Sequence, residues 1–267
     1  MPEGDTIHRT AATLHRWLAG RTITKARSRE VAFDAASLVG DAVASVGARG
    51  KHLLVQLASG RVVHTHQGMK GSWHVYRAGE RWQRPASQAK LVIETGGRVA
   101  VCFESPTVEL LTANAFRRHR VLIELGPDLL DPSVDIAEIL RRASTLARQV
   151  LVGEVLLNQR VVAGIGNVYR SEVLWEHRLH PATALAEVDP EQLEALVRTA
   201  AELLRKNARP EAAARREFGP GGPRVYRRTG KPCRRCATPI VSALLATHAR
   251  RAYWCPRCQP LPGQRGG

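Results

Sequence analysis

Acidic residues disappear from the last fifth of this chain: from Phe218 to Gly267 there is no aspartate and no glutamate. Other features are missing throughout. No apolar run approaches the roughly 20 residues that cross a bilayer, which excludes a helical membrane protein. The first residues lack the apolar stretch of a secretory signal, so the chain reads as cytosolic. Cysteine is scarce, and only Cys102 lies outside the acid-free tail. No internal repeat is present, which sets aside a repeat architecture.

What is abundant is positive charge. Forty Lys and Arg stand against 24 Asp and Glu, a formal net charge of +16. An excess of this size points to a polyanionic partner, most often nucleic acid, with a membrane surface or a merely solvated basic face as the alternatives. Arginine dominates, which suits phosphate but also a GC-rich genome. The length of 267 residues allows one large domain or two moderate ones.

The opening "MPEGDTIHRT" leads into Ile7, Ala11, Leu14 and Leu18 at helical spacing. Short runs follow, "ITKARS", "KHLLVQL", "RVVHTH", "SWHVYR", "KLVIET" and "RVAVCFES", each with strand character. Gly96-Gly97 between the last two signals a hairpin. The chain to about Leu125 therefore reads as antiparallel sheet, a sandwich or a barrel. Gly126, Pro127 and Pro132 mark a linker. Beyond it, "DIAEILRRAS", "ARQVLVGEVLLNQ", "NVYRSEVLWEHRL" and "PEQLEALVRTAAELLRKN" carry helical periodicity. "GPGGPRV" marks a second boundary, and a short module closes the chain.

That module holds Cys233 and Cys236, then Cys255 and Cys258, two C-x2-C turns separated by eighteen residues. The spacing is that of a zinc ribbon. Two such turns present four thiolates to one tetrahedral ion and leave no open position, so the zinc is structural. Disulfides are the alternative, and a cytosolic chain argues against them. His248 is not needed as a ligand, and Cys102 reads as a buried thiol. Arg250 or Arg251 offers a charge to phosphate from the loop "THARRAYW"; solvated arginines are the alternative. Gly164 and Gly166 precede a helix starting near Asn167, where free N–H groups favour an anion; an ordinary helix–helix turn is the simpler reading.

Taken in order, "MPEGD", "RGKHLL", "LGPDLL", "LLNQRVVAGIGNVYRSEVL" and "VYRRTGKPCRRC…WCPRCQ" resemble the formamidopyrimidine-DNA glycosylase / endonuclease VIII family over nearly the whole chain. The resemblance implies an α+β multidomain fold: an N-terminal β-sandwich with a leading helix (1–126), a linker (127–135), a helix–two-turns–helix domain (136–222) and a zinc finger (223–262), with DNA in the cleft. It implies a monomeric, nucleoid-associated base-excision enzyme with DNA glycosylase and AP-lyase activities. Pro2, exposed by removal of Met1, would supply the Schiff-base nitrogen, and Glu3 a carboxyl group at the opening sugar. Lys51 would reach the damaged nucleotide and its phosphate. Asn167 would bind phosphate, and Arg250 would grip phosphates around the lesion and aid the second elimination. Gln67 and Met69 lie in the segment that fills the void left by an extruded base, although a Met is also a common core filler.

The sequence also departs from the family pattern. Thr6 replaces a usual glutamate, and Asn158 a usual aspartate. The arginine–phenylalanine loop of formamidopyrimidine enzymes has no counterpart in "ESPTVELLTANAFRRHR", and "MPEG" replaces "MPEL". Both favour the endonuclease VIII side and oxidised pyrimidines. The rival reading is a DNA-binding protein of the same fold that has lost its chemistry; an RNA-binding ribbon protein would leave the N-terminus unexplained.

Overall fold

The computed structural model describes residues 2–209, 216–245, 250–261 and 263. His248 lies outside them. The chain separates into two compact units, Met1–Glu124 and Leu125–Gly267.

The first unit opens with α1 (Gly4–Leu18), whose Ile7, Ala11, Leu14 and Leu18 form one buried stripe. Asp5 lies in its first turn and His15 and Arg16 in its last, the charge order that a helix dipole favours. Eight strands follow: β1 (Ile23–Ser28), β2 (Val43–Arg49), β3 (His52–Leu57), β4 (Val62–His66), β5 (Ser72–Arg77), β6 (Ala89–Thr95), β7 (Arg98–Phe103) and β8 (Thr107–Leu111). They make two four-stranded sheets, ordered β1-β6-β7-β5 and β2-β3-β4-β8, with antiparallel neighbours. Leu53, Val55, Leu57 and Val63 of one sheet share a core with Ile23, Leu91, Ile93, Ala100 and Cys102 of the other, and with the stripe of α1. That shared core makes the unit a sandwich rather than a barrel. Gly96-Gly97 joins β6 to β7 beyond the pair Thr95–Arg98, with Gly97 at φ 84°. Strands β2 and β8 carry weaker patterns: a bulge interrupts β2 between Val43 and Ser45, and every residue of β8 is half-buried. Two short helices close the unit, α2 (Ala113–Arg117), capped by the Thr112 hydroxyl, and α3 (Arg120–Glu124).

The second unit contains α4 (Ile136–Ser144), α5 (Val152–Val155), α6 (Asn167–Glu176) and α7 (Pro190–Ala208), then the hairpin β9 (Val241–Leu244) and β10 (Arg251–Trp254). The helix expected over 147–159 shrinks to the single turn of α5. Leu151 is extended and bridges Ala184, while Gly153 packs so closely that a Cβ there would lie 2.7 Å from the Pro181 carbonyl. Within 127–135, read as a linker, Leu129 is fully buried and Asp128 bridges Ala163, whereas Asp131, Pro132, Ser133 and Asp135 are exposed. Leu129 joins Tyr169, Val173, Leu196, Ala200 and Leu204 in the unit's core.

Helix α6 is buried from Asn167 to Trp175, charged residues included. Buried charge needs partners. Glu172 finds three: its carboxylate accepts the backbone N–H groups of Arg224 (2.6 Å), Val225 (3.1 Å) and Tyr226 (2.9 Å). The chain leading into the cysteine module is thereby fastened to α6. Trp175 then packs with Val225, Cys233, Ile240 and Cys255 in a small separate core. Among the described residues, no helix is long and apolar enough to cross a membrane.

Candidate functional site

Pro2 is half-buried and leads directly into α1, which packs against β2, β3, β5 and β7. Glu3 takes an extended backbone, and its carbonyl accepts the N–H groups of Thr6 (2.9 Å) and Ile7 (3.1 Å), so it forms the helix N-cap. Its side chain is wholly buried at the positive end of the helix. Asp5, which sequence reasoning did not single out, is equally buried and accepts a 3.4 Å hydrogen bond from the Thr6 hydroxyl. An acid thus stands one residue before the position where Thr6 replaces the family glutamate. Its signal was present, since Asp5 belongs to the quoted "MPEGD", but burial is invisible in a single helix turn.

Lys51 occupies the two-residue turn between β2 and β3, where Arg49 pairs with His52 and Gly50 adopts φ 58°. The second turn of interest leaves the end of β4 at His66. Because His52 pairs with His66, Lys51 and the Gln67–Gly71 loop share one end of the same sheet. The loop is tight: Gly71 donates to the Gln67 carbonyl at 2.8 Å, and a Cβ on Gly71 would lie 2.3 Å from that oxygen. Met69 is 74% exposed, which rules out the core-filler reading. Gln67 is 2% exposed, and its Nε2 has no hydrogen-bond partner among the described residues. The two residues assigned to one segment therefore sit differently: Met69 projects, Gln67 is enclosed.

In the second unit Gly164 turns at φ 102°, and the Gln159 carboxamide braces the loop by donating to Leu157 and Ile165 carbonyls and accepting from Gly164 N–H. Asn158 accepts the Arg160 N–H at 3.0 Å, a local turn bond that the usual aspartate would also make. Asn167 begins α6, but its amide is not directed to solvent. It donates to the Arg251 carbonyl at 3.0 Å. Arg170, also missed from sequence, is buried; its guanidinium donates to Asn167 Oδ1 and to the carbonyls of Arg251 (3.1 Å) and Arg250 (3.5 Å). Asn167 and Arg170 thus tie α6 to the start of β10. Of the two candidate arginines, Arg251 turns back on the Ser242 carbonyl at 3.3 Å, whereas Arg250 is exposed and its side chain has no partner among the described residues.

The four tail cysteines converge. Their sulfurs lie within 4.8 Å of one another, with Cys233–Cys258 at 3.9 Å and Cys236–Cys255 and Cys236–Cys258 at 3.4 Å. A disulfide needs about 2.05 Å, so none is formed. The backbone N–H groups of Arg235 and Cys258 point at the sulfurs of Cys233 (3.5 Å) and Cys255 (3.4 Å), the arrangement that stabilises thiolates on a metal. The set is compatible with one tetrahedral ion and leaves no open position.

Residues 1–107 match the formamidopyrimidine-DNA glycosylase N-terminal domain, and residues 125–217 the formamidopyrimidine-DNA glycosylase H2TH domain. A probable endonuclease 8 2 of Streptomyces coelicolor is 38% identical, covering 100% of this chain and 97% of its own. Endonuclease 8 of Pectobacterium carotovorum is 32% identical, covering 97% of this chain and 100% of its own. Lactococcus lactis formamidopyrimidine-DNA glycosylase, non-covalently bound to DNA containing an AP site, superposes with a TM-score of 0.83 at 20% identity, over 97% of this chain and 100% of that one. With two family domains, full-length relatives and the same fold, this chain belongs to the formamidopyrimidine-DNA glycosylase / endonuclease VIII family of DNA glycosylase/AP lyases.

Proposed function

We propose that this protein is an endonuclease VIII-type enzyme of base excision repair that removes oxidised pyrimidines through Pro2 and then cleaves the strand. Removal of Met1 makes the Pro2 nitrogen a secondary amine. An α-amino group of pKa about 7.8 is roughly a tenth free base at pH 7, where a lysine near 10.4 offers under about 0.1%. Attack of that nitrogen on C1′ forms the N–C1′ bond as the glycosidic bond breaks and the base leaves with its electron pair and a proton. The C1′–O4′ bond then breaks, O4′ leaving with its electron pair and taking a proton, and the product is an iminium. A secondary amine cannot shed this charge, so it acts as an electron sink. Loss of the C2′ proton then expels the 3′ phosphate by β-elimination; a second loss would expel the 5′ phosphate.

Other residues support the step. The buried Glu3 carboxyl is the group to protonate the opening sugar. Lys51 contacts the damaged nucleotide and its phosphate. Met69, exposed and flexible, is the better wedge into the space of an extruded base; the enclosed Gln67 supports the loop. Arg250 meets phosphate, and Asn167, held by Arg170, positions the finger strand beside it. Zinc on Cys233, Cys236, Cys255 and Cys258 would hold the finger's fold, with no part in the chemistry. The enzyme works as a monomer on chromosomal DNA. The pyrimidine assignment draws on the endonuclease 8 relatives and the missing arginine–phenylalanine loop.

The observation that carries this reading is the placement of Pro2 immediately before a fully buried Glu3 at the start of α1. Borohydride should trap the protein on abasic-site DNA, with the adduct on Pro2 by mass spectrometry. A variant that retains Met1 should not be trapped, and Pro2→Gly should be trapped more slowly. Linkage through Lys51, with a free N-terminus, refutes the mechanism; no trapping at all favours the non-catalytic DNA binder.

A further inference from the structure

The sheet that has the Lys51 turn and the Gln67–Gly71 loop at one end also carries a series of imidazoles. His64 pairs across the strands with Glu109, and His52 with His66. His52 Nδ1 lies 2.8 Å from His64 Nε2, His64 Nδ1 lies 2.9 Å from Glu109 Oε2, and His119 Nε2 lies 3.1 Å from the same oxygen. The His52 and His66 rings stand 4.9 Å apart.

These distances determine where the hydrogens are. A carboxylate only accepts, so His64 Nδ1 and His119 Nε2 both carry hydrogen. The Leu122 N–H donates to His119 Nδ1 at 3.4 Å, which agrees with a lone pair there. Burial lowers the pKa of His64, so its ring is neutral and its Nε2 must accept. His52 Nδ1 is then the donor. Burial, followed by the charges of neighbouring histidines and Lys51, pushes His52 down to about 3, so this ring too holds a single hydrogen. His64, Glu109 and His119 bring their donor atoms close enough for a metal ion. A metal would need the lone pair of His119 Nε2, which would force hydrogen onto Nδ1 against the Leu122 N–H. Protons fill this cluster.

The ends of the series are where its use lies. His52 directly follows Lys51, and His66 directly precedes the Gln67–Gly71 loop. We propose that Glu109 and His64 are positioning residues, which orient His52 and through it hold the Lys51 turn and the adjoining Met69 loop in the arrangement used for base excision. The carboxylate orients one imidazole, which orients the next, the logic by which a buried acid sets a catalytic histidine's tautomer. This role rests on the reading that Lys51 and Met69 engage DNA.

Single-turnover excision of an oxidised pyrimidine from duplex DNA tests it. Glutamine at position 64 places an acceptor where Nε2 was and keeps the bond to His52; asparagine places a donor where Nδ1 was and keeps only the bond to Glu109. His64→Ala and His64→Asn should slow the reaction roughly 10- to 100-fold, the loss expected for a displaced reactive group. His64→Gln should recover most of the rate. Affinity for undamaged duplex should stay near the parent's in all three. His64→Ala added to Lys51→Ala should lower the rate little further, because both act through one group. Nitrogen-15 imidazole spectra should show hydrogen on Nδ1 of His52 and His64 and on Nε2 of His119. Thermal melts identify a variant that fails to fold, and Glu109→Leu, of similar size but with no acceptor for His64 Nδ1, then takes its place and should slow excision likewise. Parental rates in His64→Ala overturn the positioning role, as do equal losses in all three variants that simply follow melting temperature. A second bound metal, lost with His64, overturns the assignment of protons. A parent that borohydride cannot trap overturns the glycosylase reading instead.

Discussion

Met69 and Gly71 lie two residues apart and fail differently when changed. Met69 is exposed, so Met69→Ala should alter stability by no more than about 0.5 kcal/mol while lowering excision of the damaged base. Gly71→Ala forces a Cβ against the Gln67 carbonyl and should destabilise by about 1–3 kcal/mol, as overpacking does. Denaturant melts beside excision assays separate the two. His52 makes a pH prediction. Its folded pKa of about 3 lies below the unfolded 6.5, so the unfolded chain takes up the proton first as pH falls. The stability it contributes is complete above pH 6.5 and is lost toward pH 3, with a slope of at most about 1.4 kcal/mol per pH unit. Unfolding between pH 7.5 and 5 should therefore be less pH-dependent in His52→Gln than in the parent. An unchanged slope would mean that His52 titrates alike in the folded and unfolded protein.

At the scale of elements, the cysteine module is too small to bury much core of its own, and its few buried residues cluster with Trp175 of α6. Two fastenings are open to it: a metal ion, which the four converging cysteines could hold, and the Glu172 carboxylate on the backbone of residues 224–226. Cys255→Ser should abolish tight zinc binding and weaken DNA affinity while leaving the circular-dichroism signal of the sandwich intact. Metal analysis of reduced parent protein should give one zinc per chain, and a zinc-free parent that still binds DNA would contradict the structural role. The single-turn α5 shows the opposite balance. Its sequence is helical in period, yet the Leu151–Ala184 bridge and the Gly153–Pro181 contact leave room for one turn.

Across the whole molecule, a net charge of +16 makes binding to DNA strongly salt-dependent. Each ionic phosphate contact removed should lower the slope of log K against log salt by about 0.9 on duplex DNA. Arg250→Ala should therefore weaken binding to all sequences alike and flatten the slope by about that amount. Asn167→Ala removes a neutral amide that supports Arg251, so affinity should fall with the slope nearly unchanged. If Arg250→Ala binds like the parent at every salt concentration, that arginine is merely solvated.

Much of this protein was legible in the order of its residues. The buried stripe of α1, the strands from "ITKARS" to "RVAVCFES", the helices α4, α6 and α7 and the paired C-x2-C turns each follow from periodicity or spacing, which are properties of a local segment. The segments that resemble the family placed Pro2, Glu3, Lys51, Asn167 and Arg250 as candidates. What local pattern could not supply depends on residues far apart in the chain. The burial of Asp5, the exposure of Met69 beside an enclosed Gln67, and the grip of Arg170 on the carbonyls of Arg250 and Arg251 arise only when separate segments meet. The histidine series is the clearest case. His52, His64, Glu109 and His119 have no common spacing, and only strand register, with a helix N–H at Leu122, brings them together and assigns their protons.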